Sequence, residues 1–163
     1  MYISNGRTRL IPMISGRPNA IANVTGSKEY SEINGTVSFF DTPRGVLVYT
    51  QINGLPKSEG KCNGGIFGFH IHDGSSCSGN ETDEFADAGA HYNPDECPHP
   101  YHAGDLPPLF ESDGYAFSAF ITNRFTIDEI KGKAIIIHDK PDDFTSQPSG
   151  NAGKKIACGI ISV

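Results

Sequence analysis

The sequence predicts an all-β fold: an eight-stranded Greek-key β-barrel or sandwich, immunoglobulin-like in build, with two long functional loops. Three observations lead there. Glycine (19) and proline (11) punctuate runs rich in valine, isoleucine, threonine and aromatic residues, the composition of short strands joined by turns. Eight such runs can be marked out, and none carries the 3.6-residue period of a long helix. Two long stretches, 73–106 and 139–154, carry no convincing period yet are rich in aspartate, glycine and proline, and the first also holds three of the six histidines.

Taken in order, residues 1–18 are polar and aperiodic and read as a loose N-terminal arm, leaving 19–163 as one domain. The first strand is expected over 20–26 and the second over 35–40, with Val37 and Phe39 on one face. Asp41-Thr42-Pro43-Arg44-Gly45 is a turn signal. A third strand over 46–52 alternates Val46, Val48 and Thr50 against Leu47, Tyr49 and Gln51. A loop follows from 53 to 65, then a fourth strand over 66–72. The segment 109–111, the Asp113-Gly114 turn and 115–122 form a hairpin. Residues 128–130 suggest a single helical turn. Residues 133–138, three isoleucines ending on a histidine, and 155–163 complete the set.

Composition narrows the function. A net charge of −6 argues against a general nucleic-acid binder, which would be basic. It does not exclude an anionic substrate, because a site's local field can oppose the net charge. No run of 18 apolar residues is present, so no membrane helix is expected. The first 17 residues hold arginines but no apolar signal core. This points to the cytoplasm, or to an exported or cell-envelope protein from which a signal has been removed. Cys62, Cys77, Cys97 and Cys158 form no Cys-x-x-Cys, so disulfides or buried thiols are expected rather than a zinc ribbon. Asn-x-Ser/Thr triplets at Asn23, Asn34 and Asn80 are read as chance.

The chemistry is organised around residues 68–72, Gly-Phe-His-Ile-His. On a strand, positions i and i+2 share a face, so His70 and His72 present two imidazoles side by side. Five of the six histidines fall within 33 residues. In His99-Pro-Tyr-His102-Ala-Gly-Asp105 two histidines and an aspartate stand three apart, a spacing that a compact loop can converge on zinc. A fourth ligand must come from elsewhere, and His91 is the nearest histidine. His70, His72 and His138 form an imidazole-rich set suited to copper(II). If His91 used both ring nitrogens, it could serve both sets.

These residues carry a resemblance. His70-x-His72, Gly89-x-His91-x-Asn93-Pro94, His102-x-Gly104-Asp105-Leu106, Gly150-Asn151-Ala152-Gly153 and Ala157-Cys158-Gly159 resemble copper/zinc superoxide dismutase. The bacterial branch is nearest, since a cysteine, Cys77, follows the first histidine pair. The resemblance covers about residues 20–163. It implies copper held by His70, His72, His91 and His138, and zinc held by His91, His99, His102 and Asp105, with His91 as the bridge. Asp142 matches the carboxylate that links a copper histidine to a zinc histidine. Cys77 and Cys158 match the family disulfide. Cys62 and Cys97 have no template in the family, and a second disulfide between them is weighed evenly against two free thiols.

The implied activity is conversion of superoxide to oxygen and hydrogen peroxide as copper cycles between Cu(II) and Cu(I). His91 would carry a proton, and a cation beside copper would draw in the small anion. That cation is usually arginine; here it is Lys155, which keeps the charge but loses the planar fork of donors. The loop from 138 to 150 is short for a steering network. The resemblance allows a homodimer and implies neither nucleic acid nor membrane as partner. The alternative is a non-catalytic copper-binding or copper-delivery module on the same fold. A zinc hydrolase would want His-x-His-x-Asp-His, which residues 70–75 do not supply.

Overall fold

The computed structural model describes residues 16–163, apart from 61 and 63. Among these, nine strands form: β1 (Ala20–Gly26), β2 (Asn34–Thr42), β3 (Gly45–Asn53), β4 (Ile66–Phe67), β5 (Phe69–His72), β6 (Leu109–Ser112), β7 (Tyr115–Thr122), β8 (Ala134–His138) and β9 (Lys155–Ser162). Among the described residues the one α-helix, α1 (Ile127–Ile130), is a single turn, and a 3-10 turn spans Ala86–Ala88. Thr126 caps it and Glu129 bonds back to the Thr126 N–H at 2.7 Å, a capping box that fixes where it starts. The expected arm over 1–18 lies largely outside the described residues.

All eight expected strands are present; the count rises to nine because the fourth is parted at Gly68. The Gly68 N–H donates to Lys140 O at 2.7 Å and its carbonyl accepts from the His138 N–H at 2.8 Å. A Cβ there would stand 2.9 Å from that of Ala152, so only glycine lets the chains approach this closely.

The strands are hydrogen-bonded in the order β4-β6-β7-β3-β2-β1-β9-β8-β5, every pair antiparallel. The two ends of that list are the two halves of one strand. β4 pairs with β6 and β5 with β8, so the sheet rolls up on itself into a nearly closed barrel, which leaves few free edges. The β3–β4 and β7–β8 connections cross to non-neighbouring strands, which gives the Greek-key path.

Alternation decides the core. Val37 and Phe39 of β2, Val48 and Ile52 of β3, Phe69 and Ile71 of β5, and Ile135 and Ile137 of β8 fill the interior. Each such side chain contributes about 1.5–3 kcal/mol by leaving water. On β8, however, all five residues are buried. Ala134 and Ile136 point outward and pack with Phe85, Ala88 and Cys158. The segment after Cys77 therefore lies over the barrel wall, and the Cys77–Cys158 disulfide pins it to β9. The isoleucine run is a strand buried on both faces.

The second disulfide weighed for Cys62 and Cys97 is not formed; both thiols are free. Their supports differ. Cys62 belongs to the β3–β4 loop, which is tied to the β6–β7 turn through Leu55 N–H to Gly114 O and Lys57 to Asp113. Cys97 is held by the side chain of Asn93, which bonds both its N–H and its carbonyl.

Candidate metal centre

With Phe69 and Ile71 turned into the core, His70 and His72 must face outward, yet each is at most 2% exposed. The long segment between β5 and β6 covers them. It is ordered by backbone pairing along the second edge of β5: Tyr92 N–H to Ile71 O (2.8 Å), Ile71 N–H to Gly104 O (2.9 Å) and Leu106 N–H to Phe69 O (3.3 Å). These bonds set His91 opposite His72 and Asp105 opposite His70. Gly104 is obligatory here, because a Cβ would stand 2.3 Å from Ile71 O. A stretch with no periodicity thus acts as two more rungs of the sheet.

Two groups of donors result. Ligand atoms of His70, His72, His91 and His138 lie within 4.8 Å of one another, as do those of His91, His99, His102 and Asp105. These are the two sets expected from the sequence, and His91 stands in both. Its Nδ1 lies 2.7 Å from Asp105 Oδ1, while its buried Nε2 has no partner. His70 Nδ1, His99 Nδ1 and His102 Nδ1 are likewise buried without a hydrogen bond. Orphaned nitrogens at this density are costly unless something accepts their lone pairs.

The first group makes the point sharply. His72 Nδ1–H donates to Gly89 O at 2.8 Å and His138 Nδ1–H to Gly153 O at 3.3 Å. Burial, with neighbouring imidazoles, pushes His72 well below its ordinary pKa and His138 down to about 3, so both rings are neutral. Each ring then has its single proton on Nδ1. Two Nε2 lone pairs face each other at 3.3 Å, an arrangement that a cation between them relieves. The imidazole-only set fits copper, and the three-histidine, one-carboxylate set fits zinc.

Asp142 joins the groups. Its Oδ2 accepts from His70 Nε2 at 2.7 Å and its Oδ1 from His99 Nε2 at 2.9 Å. Burial alone would raise the carboxyl, but bonds from His70, the Phe144 N–H and His99 hold it far below the usual range. Asp105 shows the same contest: burial raises it, and the His91 bond with the facing imidazoles outweighs that. Both carboxylates stay charged while the rings they touch direct their other nitrogens inward.

Lys155 is the β9 partner of His138 across the ladder. Its Nζ lies 2.5 Å from Asp83 Oδ2. Both line a cavity of about 750 Å³ that opens beside His72, His91 and His138. Three supporting residues had no signal in the sequence. Asp83 is one. Arg124 is the second: its Nη1 reaches the carbonyls of Pro100, His102 and Asp105 at 3.2–3.3 Å. Gln147 is the third, and it brackets the His99 backbone, accepting from N–H at 3.0 Å and donating to O at 2.7 Å. Each acts across 19 to 72 positions of chain, beyond any local pattern.

The family model described as copper/zinc superoxide dismutase (SODC) matches residues 33–161. The chain belongs to the copper/zinc superoxide dismutase family. It is therefore an oxidoreductase whose cofactors are copper and zinc. It is similar to superoxide dismutase [Cu-Zn] of Escherichia coli (strain K12), 34% identical over 85% of this chain and 84% of that protein. Superoxide dismutase [Cu-Zn] 2 of Aquifex aeolicus (strain VF5) is 32% identical over 80% of each. Among solved structures, a double mutant of a SOD-like protein from Bacillus subtilis superposes with a TM-score of 0.71 at 28% identity, covering 88% of this chain and 97% of that one.

Proposed function

We propose that this copper/zinc superoxide dismutase converts superoxide to oxygen and hydrogen peroxide at the paired centre described above. His70, His72, His91 and His138 hold copper, and His91, His99, His102 and Asp105 hold zinc. The observation that carries the reading is His91, whose two nitrogens turn toward the two donor groups. Copper, when bound, supplies the one-electron redox chemistry that no side chain provides. His91 Nε2, buried and without a hydrogen-bond partner, would take up a proton and hand it to the peroxide, while Nδ1, 2.7 Å from Asp105 Oδ1, keeps the ring in place. Asp142 orients His70 and His99. Lys155 supplies positive charge beside His138 for the incoming anion.

The copper-delivery alternative has nothing to favour it, since all four copper donors converge and a cavity leads to them. The test is a metal-resolved assay: dismutation after loading with copper and zinc together, zinc alone, or copper alone. Activity should require copper. His138→Ala should abolish turnover and leave zinc bound, whereas Asp105→Ala should weaken zinc first. Copper-independent activity, or an inactive sample fully loaded with copper, sinks the assignment.

A second copy of the chain is the proposed protein partner. Phe110, Tyr115, Phe117 and Ile121 form an exposed row on β6 and β7, with Tyr49 edge-on to Phe117 at 5.4 Å, an outward apolar surface of the kind that copies bury. Sedimentation showing a monomer at high micromolar concentration would count against it. The Cys77–Cys158 bond supports an oxidising compartment, to be checked by cell fractionation.

A further inference from the structure

The wall of the cavity beside the copper set carries an unusual charge pattern for an anionic substrate. Four carboxylates, Glu29, Glu81, Asp83 and Glu84, line it against two ammoniums, Lys154 and Lys155. Only Asp83 among these acids is paired with the cation that stands opposite His138. The Lys155 side chain is 15% exposed and that of Asp83 39%, with Nζ and Oδ2 2.5 Å apart.

Asp83 is placed for this pairing. Its Oδ1 accepts from the Phe85 N–H at 3.1 Å, which leaves Oδ2 turned to Lys155. Its own N–H donates to Asn80 Oδ1 at 3.0 Å, and its carbonyl accepts from the N–H groups of Asn80 and Ala86. The turn that holds it is delivered to β9 by the Cys77–Cys158 disulfide, three positions beyond Lys155.

We propose that Asp83 determines the anion affinity of the copper site by acting as the resident counter-ion of Lys155. An arriving anion meets a cation whose charge is already balanced, and it must compete with a carboxylate that the backbone holds in place. Superoxide needs only a brief encounter to exchange an electron. Spectator anions, present in large excess, inhibit in proportion to their equilibrium affinity. A fixed counter-ion therefore lowers spectator occupancy more than it lowers productive encounters.

The inference rests on the copper reading of the site, and the experiment separates the two. Azide is titrated into the copper- and zinc-loaded protein at several salt concentrations, followed by its charge-transfer absorption with Cu(II). Wild type, D83N, K155Q and the D83N/K155Q double variant are compared. Asn and Ser can both accept the Phe85 N–H bond, so D83S serves equally where D83N yields little folded protein. D83N should bind azide about three- to tenfold more tightly at low salt, with the gap narrowing as salt screens it. In the K155Q background the same change should shift affinity less than about twofold, because the partner is gone. Equal affinity of wild type and D83N overturns the proposal. So does equal tightening in both backgrounds, which would make Asp83 a bystander charge and not the partner of Lys155. Azide that leaves the copper spectrum of wild type unchanged overturns the copper reading itself.

Discussion

His70 Nε2 donates to Asp142 Oδ2 at 2.7 Å, between side chains that are 0% and 1% exposed and 72 residues apart in sequence. The bond settles which nitrogen of His70 faces the other imidazoles. It also makes Asp142 a shared support, because the second oxygen serves His99.

Asp142→Asn tests that sharing. Asparagine offers one acceptor oxygen where His70, His99 and the Phe144 N–H now use two. One imidazole must lose its partner. Metal affinity should fall about 10- to 100-fold, measured by competition with a chelator of known affinity. Unchanged affinity for both metals would show that Asp142 is not needed as a support.

Gly150→Ala should act on the same node without replacing a ligand. Gly150 has φ +65°, and a Cβ would stand 2.0 Å from Asp142 Oδ1 and 2.7 Å from His99 Nε2. Alanine must displace the carboxylate or bend the turn, and it adds left-handed strain of about 1 kcal/mol. Zinc release should accelerate and the melting temperature should fall, both readable by calorimetry of the zinc-loaded protein.

Arg124→Gln removes the guanidinium that ties Pro100, His102 and Asp105 together through their carbonyls. The loss of a charged donor from partly buried carbonyls is worth about 1.5–3 kcal/mol. The effect should be local: hydrogen exchange over residues 99–106 should speed up more than exchange in β2 or β8. Uniform acceleration across the barrel would mean that Arg124 supports the whole fold instead.

Acid should destabilise the metal-free protein. His72 and His138 are held neutral by burial, His138 down to about 3, whereas in the unfolded chain histidine titrates near 6.5. Between those values the unfolded state binds more protons, so stability falls as the pH drops from about 6.5 toward 3. The slope is at most about 1.4 kcal/mol per pH unit for each histidine. Asp142 and Asp105 are depressed, so their contribution is present above the ordinary carboxylate range and is lost at still lower pH. Urea unfolding of the metal-free protein between pH 7 and pH 4 should show the decline. His138→Phe should flatten it; an unchanged slope would remove His138 as its cause.

Much of this centre could be read before any fold was known. Alternation put His70 and His72 on one face, because a strand sends positions i and i+2 the same way; the structure then turned the other face, Phe69 and Ile71, into the core. Spacing gathered His99, His102 and Asp105. Cys62 and Cys97 show the limit: the sequence left a disulfide between them evenly weighed against two free thiols, and the structure keeps both thiols free. The segment 73–106 shows another, since its backbone pairs with β5 and such pairing leaves no side-chain period to detect.

By itself the sequence determined the strands, the donor set and the family, because these depend on local alternation, on residue chemistry and on ordered motifs. Tertiary structure alone decided which nitrogen of each imidazole is free, that the wall strand β8 is covered on both faces, and that Asp83 meets Lys155. Those outcomes depend on where distant segments come to rest once the sheet has closed, and charge and lone-pair direction act over a few ångströms of space, not over positions along the chain.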